Sequence, residues 1–275
     1  MADLNDAETD AGDDRSREAA RLAQALANMP ALVPGTVVLA GAGPGDPRYL
    51  TLAALRALGQ ADAVVHDALV ELALLALIPP RAERHDVGKR GGRPSTSQAE
   101  IDGLLVRLAR EGKRVVRLKG GDPVVFGRGG EEMIALAAAG VPCLLIPGVT
   151  AAFAGLAEAG IPATLRGVNR AVILATGHSL QDGPSALDWE ALARLGQPML
   201  FYMALRHLPE IAARLRAGGL PGETPALMMA AVTTQSARYR HTTLDGLADA
   251  VDGFQGPAII AIGEIVAFPK DRGQG

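Results

Sequence analysis

The chain has 275 residues, with 27 Lys+Arg, 30 Asp+Glu, one cysteine and only 3% aromatic residues. That length supplies core for two ordinary α/β domains or one large one, and 48% apolar with 21% charged residues is the balance of a globular protein. A lone Cys143 excludes a disulfide framework and a cysteine-based zinc cluster, the longest apolar run (68–78) is interrupted by Glu71 and too short for a membrane span, and few aromatics argue against a nucleic-acid partner.

The acids concentrate at the N-terminus, where residues 1–20 hold seven against two bases, leaving 25 basic and 23 acidic residues to the rest. Residues 1–33 read as an acidic solvated arm, partly disordered or helical, with an Ala-rich helix over 15–29 that stops at Pro30. Its acidity argues against a signal or transit peptide and makes the cytoplasm the default location. From Thr36 short β-rich runs alternate with helical runs, which predicts a mostly parallel sheet. A strand over 37–40 enters the loop Gly41-Ala42-Gly43-Pro44-Gly45, Asp46 is the expected N-cap with Pro47 at the first helical position, and Leu52, Leu55 and Leu58 share one face of a helix ending at Gly59.

Strands over 63–65 and 82–87 follow, the first leading into His66-Asp67 and the second into the polar loop Gly88-Lys89-Arg90-Gly91-Gly92-Arg93. Ser97 and Glu100 predict a capping box for a helix running through Leu108 to Gly112. A strand over 114–118 runs into Gly120-Gly121-Asp122-Pro123, a helix covers 130–139, and a strand over 143–146 ends at Pro147-Gly148-Val149-Thr150. Polar and glycine residues over 164–170 mark a domain boundary, giving domains 34–165 and 166–275. The second domain alternates strands near 172–175, 199–202, 226–231, 237–243 and 258–262 with helices near 189–195, 208–217 and 244–251, with an antiparallel hairpin between Met228 and Thr243.

Three strand-end loops carry the chemistry. A dinucleotide fingerprint starting at Gly41 needs its third glycine at position 46, where Asp46 would face the phosphates, so a nicotinamide-dependent oxidoreductase is disfavoured. Gly120 and Gly121 allow close backbone approach to a ligand, and Asp122 offers acceptors to hydroxyl or ammonium groups, or simply forms an Asp-Pro turn. Thr150 is a ligand contact or a helix N-cap. His66 is an ordinary strand-end histidine, Cys143 a core residue, and no His or acidic spacing suits a metal.

The ordered set of motifs resembles the uroporphyrinogen-III C-methyltransferases of the tetrapyrrole-methylase family. It comprises Gly41 to Asp46, Val87 to Arg90, Arg114 to Pro123 continuing to Glu132, Pro147 to Ala151, Thr176-Gly177-His178 and Phe201-Tyr202-Met203, within a similarity spanning roughly 36–266. The resemblance implies two α/β domains with the active site in the cleft between them, a homodimer, and the cofactor S-adenosylmethionine. It implies cofactor contacts from Pro44, Gly120, Gly121, Asp122, Val125, Thr150, Ala151, Met203, Val232 and Ala258, with Asp67 as proton acceptor and Lys89 as proton donor. Structural roles compete with each: Asp67 as a helix N-cap, Lys89 as a solvated loop lysine, Met203 as strand core. A polycarboxylate substrate calls for a basic cleft, for which Arg90, Arg93, Lys119, Arg128 and Arg166 are the candidates, with Arg170 beside them.

The implied activity is two successive C-methylations of uroporphyrinogen III, through precorrin-1 to precorrin-2, with release of S-adenosylhomocysteine, for cobalamin or sirohaem synthesis. The alternatives are a methylase of a later precorrin intermediate, a ribosomal RNA methylase, which would call for a broader basic surface, and a non-catalytic tetrapyrrole carrier. The chain departs from the family pattern at Leu165, His66, Val124 and Asp102, and most of all over 232–238, where Val232 replaces a usual glycine and puts a side chain near the expected adenosyl pocket.

Overall fold

The computed structural model describes residues 4–88, 96–177 and 187–268. The chain runs α1 (Leu4–Ala27), β1 (Val37–Gly41), α2 (Leu52–Gln60), β2 (Ala63–His66), α3 (Leu72–Leu75), β3 (Glu83–Asp86), α4 (Gln98–Arg110), β4 (Val115–Lys119), α5 (Gly129–Ala138), β5 (Cys143–Ile146) and α6 (Ala151–Glu158). It continues through β6 (Ile173–Thr176), α7 (Trp189–Leu195), β7 (Met199–Tyr202), α8 (Leu208–Ala217), β8 (Pro225–Ala230), β9 (Arg238–Thr243), α9 (Leu247–Ala250) and β10 (Ala258–Ile262). Among the described residues no helix is long and apolar enough to cross a membrane.

The strands form two five-stranded sheets. The first has the order β3-β2-β4-β1-β5 and every pairing in it is parallel. Its interior strands are near-continuous apolar runs because both faces are covered. Val38, Ala40, Val64, Val116 and Leu118 pack with Ala54, Ala57 and Leu58 of α2 on one side, and Val37, Leu39, Val65 and Val115 meet Ile101 and Leu105 of α4 and Leu136 of α5 on the other. The second sheet, β6-β7-β10-β8-β9, pairs β6 with β7 in parallel and is otherwise antiparallel, including the expected β8–β9 hairpin. Met199, Phe201, Met228 and Ile260 lie in its core on one face, and Leu200, Tyr202, Leu227, Met229 and Ile259 on the other. Helix α6, although it follows β5, packs Ala152 and Leu156 into that second face and so joins the two layers.

Two local readings change. The helix expected from Pro47 is two elements: Asp46 caps a single 3-10 turn, Pro47–Tyr49, and Thr51 caps α2 by accepting from the Ala54 N–H at 3.1 Å. Restarting at Leu52 turns Ala54, Ala57 and Leu58 inward and leaves Leu52 exposed. Cys143 is half-buried on the edge strand β5, not in the core, and partial burial pushes its thiol pKa up. The Ser97–Glu100 capping box forms as predicted.

Candidate active site

Four of the loops that leave the C-terminal ends of the parallel strands lie wholly among the described residues, on the edge where ligands of such sheets collect. Three of them fuse into one junction. Gly43 and Gly121 exchange backbone hydrogen bonds, with Gly121 N–H donating to Gly43 O at 2.7 Å and Gly43 N–H to Gly121 O at 3.1 Å. Gly148 N–H donates to Asp122 Oδ2 at 3.1 Å, and Val124 N–H to Asp122 Oδ1 at 2.9 Å. Asp122 thus ties the β4 loop to the β5 loop and closes its own Asp-Pro turn. A Cβ on Gly41 would stand 2.5 Å from Gly148 Cα, so these glycines serve backbone contact between loops.

One edge of the second sheet carries the other expected contacts. Met203 follows β7, Val232 lies just beyond β8, and Ala258 opens β10, paired with Ala230. Since β10 runs antiparallel to both β7 and β8, all three residues fall at the same end. Met203 is 51% exposed and held at φ 51°, a left-handed conformation uncommon for a side chain of that size. The two edges face one another. Thr150 and Tyr202 share a 2.7 Å hydroxyl hydrogen bond, the Phe126 and Tyr202 rings lie 4.9 Å apart, and Asp46 N–H donates to Thr233 Oγ1 at 3.1 Å. Thr233 N–H and Tyr239 Oη both donate to Glu158 Oε2, at 2.8 and 2.5 Å, and burial raises the Tyr239 phenol pKa.

The fourth loop holds Asp67, where β2 ends. It caps no helix there. Arg117 Nη2 donates to Asp67 Oδ1 at 2.5 Å, while the Asp67 side chain keeps 28% of its surface exposed. Arg117, on β4, is buried and also donates from Nε to Glu132 Oε1 at 3.1 Å. His66 is a buried strand-end residue, as expected.

Not every candidate converges. Lys119 is buried on β4 and donates to Glu132 Oε1 at 3.0 Å, with burial lowering its ammonium pKa, so it leaves the set of cations able to face a substrate. Arg128 is exposed and paired with Glu131 at 2.6 Å, and Arg166 is exposed. Val125 is half-buried and packs against the second sheet's core. Val232 is buried in that core, with Cγ1 lying 2.9 Å from where a Cβ on Gly155 would be, so its side chain points into the protein. Pro44 is half-buried in the first loop. Lys89, Arg90, Arg93 and His178 lie outside the described residues.

The role of Arg117 and Glu132 was missed from sequence, although a signal exists. Two cations inside a central parallel strand, Arg117 and Lys119, break its apolar run, and Glu132 shares the buried face of α5 with Leu136.

A Sinorhizobium uroporphyrinogen-III C-methyltransferase is 49% identical over 244 residues, covering 88% of this chain and 87% of its own. A Pseudomonas paraeruginosa siroheme synthase is 47% identical over 248 residues, and there the chain spans about half of the relative's length, 52%. The crystal structure of a Thermus thermophilus uroporphyrin-III C-methyltransferase with S-adenosyl homocysteine superposes with a TM-score of 0.73 at 39% identity, covering 84% of this chain and 99% of that one. The family of tetrapyrrole (corrin/porphyrin) methylases matches residues 36–248, and this chain belongs to it.

Proposed function

We propose that the chain methylates ring carbons of uroporphyrinogen III, twice in succession through precorrin-1 to precorrin-2, at the expense of S-adenosylmethionine. The observation that carries this reading is the placement of Asp67: its carboxylate is fixed at one oxygen by Arg117 and stands on the same sheet edge as the glycine junction, opposite the edge that bears Met203. The substrate class follows from membership of the family, and the choice of uroporphyrinogen III from the relatives named for that reaction.

The residues present fit the cofactor. Helix α6 has no side-chain N-cap bond from Thr150, whose hydroxyl is engaged by Tyr202; the Ala152 N–H is taken by that same Tyr202 hydroxyl, which leaves the Ala151 N–H as the one proposed to meet a polar end of the cofactor. Exposed Met203 offers a soft apolar surface. Gly120, Gly121, Thr150, Ala151, Met203 and Ala258 are the proposed holding residues, with Pro44, Asp122 and Val125 shaping the loops around them. Val232 contributes through its backbone alone. When bound, S-adenosylmethionine supplies an electrophilic methyl group and leaves as S-adenosylhomocysteine.

The rest of the work belongs to the chain. Holding a ring carbon in line with the methyl donor is positional catalysis, provided by the facing edges of the two sheets. Asp67 accepts at Oδ2 the proton that the ring gives up, since Oδ1 is occupied by Arg117. Lys89 is the proposed donor of a returning proton. Arg90, Arg93, Arg128 and Arg166 are the proposed partners of the substrate carboxylates, Arg128 by exchanging Glu131 for them.

The division into domains 34–165 and 166–275 belongs to the same proposal, as does a homodimer. Exposed Ile134 on α5, Leu144 and Leu145 on edge strand β5 and Phe153 on α6 supply apolar surface for a second copy. The unpaired Cys143 suits a reducing compartment, and we place the enzyme in the cytoplasm. The test is incubation with uroporphyrinogen III and methyl-labelled S-adenosylmethionine, followed by mass spectrometry. A product carrying two labelled methyl groups is expected; no incorporation beside an active control would overturn the proposal.

A further inference from the structure

Glu132 is fully buried on α5, and its Oε1 accepts from Arg117 Nε at 3.1 Å, from Lys119 Nζ at 3.0 Å and, at 3.4 Å, from Gln98 Nε2, while Oε2 has no hydrogen-bond partner among the described residues. Taking such ions out of water is expensive, and well-packed apolar side chains of similar size often serve stability as well or better. The group has a second property that apolar packing lacks. Arg117 is a rigid planar fork, gripped at Nε by Glu132, with Nη1 lying 3.4 Å from the Val65 carbonyl and Nη2 aimed at Asp67 Oδ1. Lys119 shares the Glu132 carboxylate, so Glu132 does not neutralise Arg117 alone, and two cations face two carboxylates across the cluster.

We infer that Glu132 is a positioning residue: through Arg117 it sets the orientation of the Asp67 carboxylate and leaves Oδ2 directed to the reacting ring. The inference rests on Asp67 being the proton acceptor, and Glu132 itself touches neither substrate nor cofactor. Lys119 balances the charge that this arrangement buries.

The experiment is a double-mutant cycle on kcat with uroporphyrinogen III and S-adenosylmethionine. Asp67→Asn and Glu132→Gln are measured singly and together, with S-adenosylhomocysteine affinity measured by calorimetry. Glu132→Gln is expected to lower kcat by about 10- to 100-fold, the scale on which remote misplacement of a catalytic group acts, with both KM values and the S-adenosylhomocysteine affinity within about twofold of wild type. In the Asp67→Asn background it is expected to lower kcat no further. A second variant separates folding from positioning. Glu132→Leu with Lys119→Met removes one cation and one carboxylate, so net charge is unchanged while Arg117 keeps Asp67 and loses its Nε acceptor; it is expected to melt below wild type yet stay folded at the assay temperature, with kcat still low. Recovery of kcat in that variant, an unchanged kcat in Glu132→Gln, or an equal further loss in the Asp67→Asn background would each overturn the positioning role alone. Wild-type kcat in Asp67→Asn would overturn both it and the reading of Asp67.

Discussion

The hydroxyls of Thr150 and Tyr202 meet at 2.7 Å, and this bond joins the first helix-bearing loop after β5 to the end of β7 in the other sheet. Thr150 occupies the N-cap position of α6 but gives that helix no side-chain bond, so its hydroxyl is spent on fixing the two sheet edges. The bond is buried, and burial raises the Tyr202 phenol pKa. Tyr202→Phe leaves the Thr150 hydroxyl unpaired in a dry place and is expected to cost about 1–2 kcal/mol of stability. It is also expected to weaken S-adenosylhomocysteine binding severalfold, because Thr150 and Met203 lose their common anchor. Thermal unfolding and calorimetric titration measure the two effects, and unchanged values in both would make the bond incidental.

The glycine junction sets a second expectation. A Cβ on Gly148 would lie 2.3 Å from Gly121 O and 2.8 Å from Gly41 Cα, both backbone atoms that no rotamer change can move. Gly148→Ala is therefore expected to destabilise the fold by about 2–3 kcal/mol, the usual scale of forced overpacking. Gly130→Ala in α5, where an added Cβ meets nothing within 4 Å, is the control and is expected to be neutral or stabilising by up to about 1 kcal/mol. Urea unfolding of the two variants beside wild type reads the difference. Equal midpoints for all three proteins would mean that the junction relaxes freely.

These glycines also show how far the sequence could be read. The alternation of strand and helix located every strand to within a residue or two, helped by the runs from Val37 and Ala258, which are apolar on both faces and have few other uses. The motif loops marked these strand ends as candidate ligand contacts, but not that Gly41, Gly121 and Gly148 touch one another, since contact between loops far apart in sequence leaves no periodic trace. The same holds for Lys119. Its residue type suggested a substrate cation, whereas burial opposite Glu132 follows from the register of β4 against α5. Sequence order showed Asp67 at a strand end, and only the packed structure gives it Arg117 as a partner.

Asp62 and Arg114 give a pH dependence with a definite sign. Hydrogen bonds from the Arg114 side chain, at 2.8 and 2.6 Å, hold the Asp62 carboxyl down at about 2, below the ordinary carboxylate value near ~3.9. A folded-state value below the unfolded one means that the pair stabilises fully above the unfolded value, and that this contribution is lost as pH falls toward about 2. Both side chains are about a third exposed, so solvent screening reduces the contribution to about 1 kcal/mol. Asp62→Asn is expected to be less stable than wild type by that amount at pH 6, with the gap closing between roughly pH 4 and pH 2. Denaturant unfolding across that range tests it, and a gap independent of pH would assign the loss to something other than ionisation.

Val232 stands where the resemblance implies glycine, and the structure buries its side chain. Its side chain turns into the core beside Met229 and against Gly155, whose missing Cβ makes the room: a Cβ there would meet Met229 Sδ at 2.8 Å and Val232 Cγ1 at 2.9 Å. The flanking residues Ala231 and Thr233 adopt φ values of 48° and 65°, so the bend that brings this loop past the sheet edge is made without glycine. Two opposite changes test the pairing. Gly155→Ala forces Val232 back toward the cleft and is expected to weaken S-adenosylhomocysteine binding by roughly tenfold while costing about 1–3 kcal/mol of stability. Val232→Gly empties the core site and is expected to cost about 2–3 kcal/mol while leaving that affinity within about twofold of wild type. Tighter binding in Val232→Gly would show instead that the valine obstructs the cleft, because only a side chain already occupying cofactor space can raise affinity by its removal.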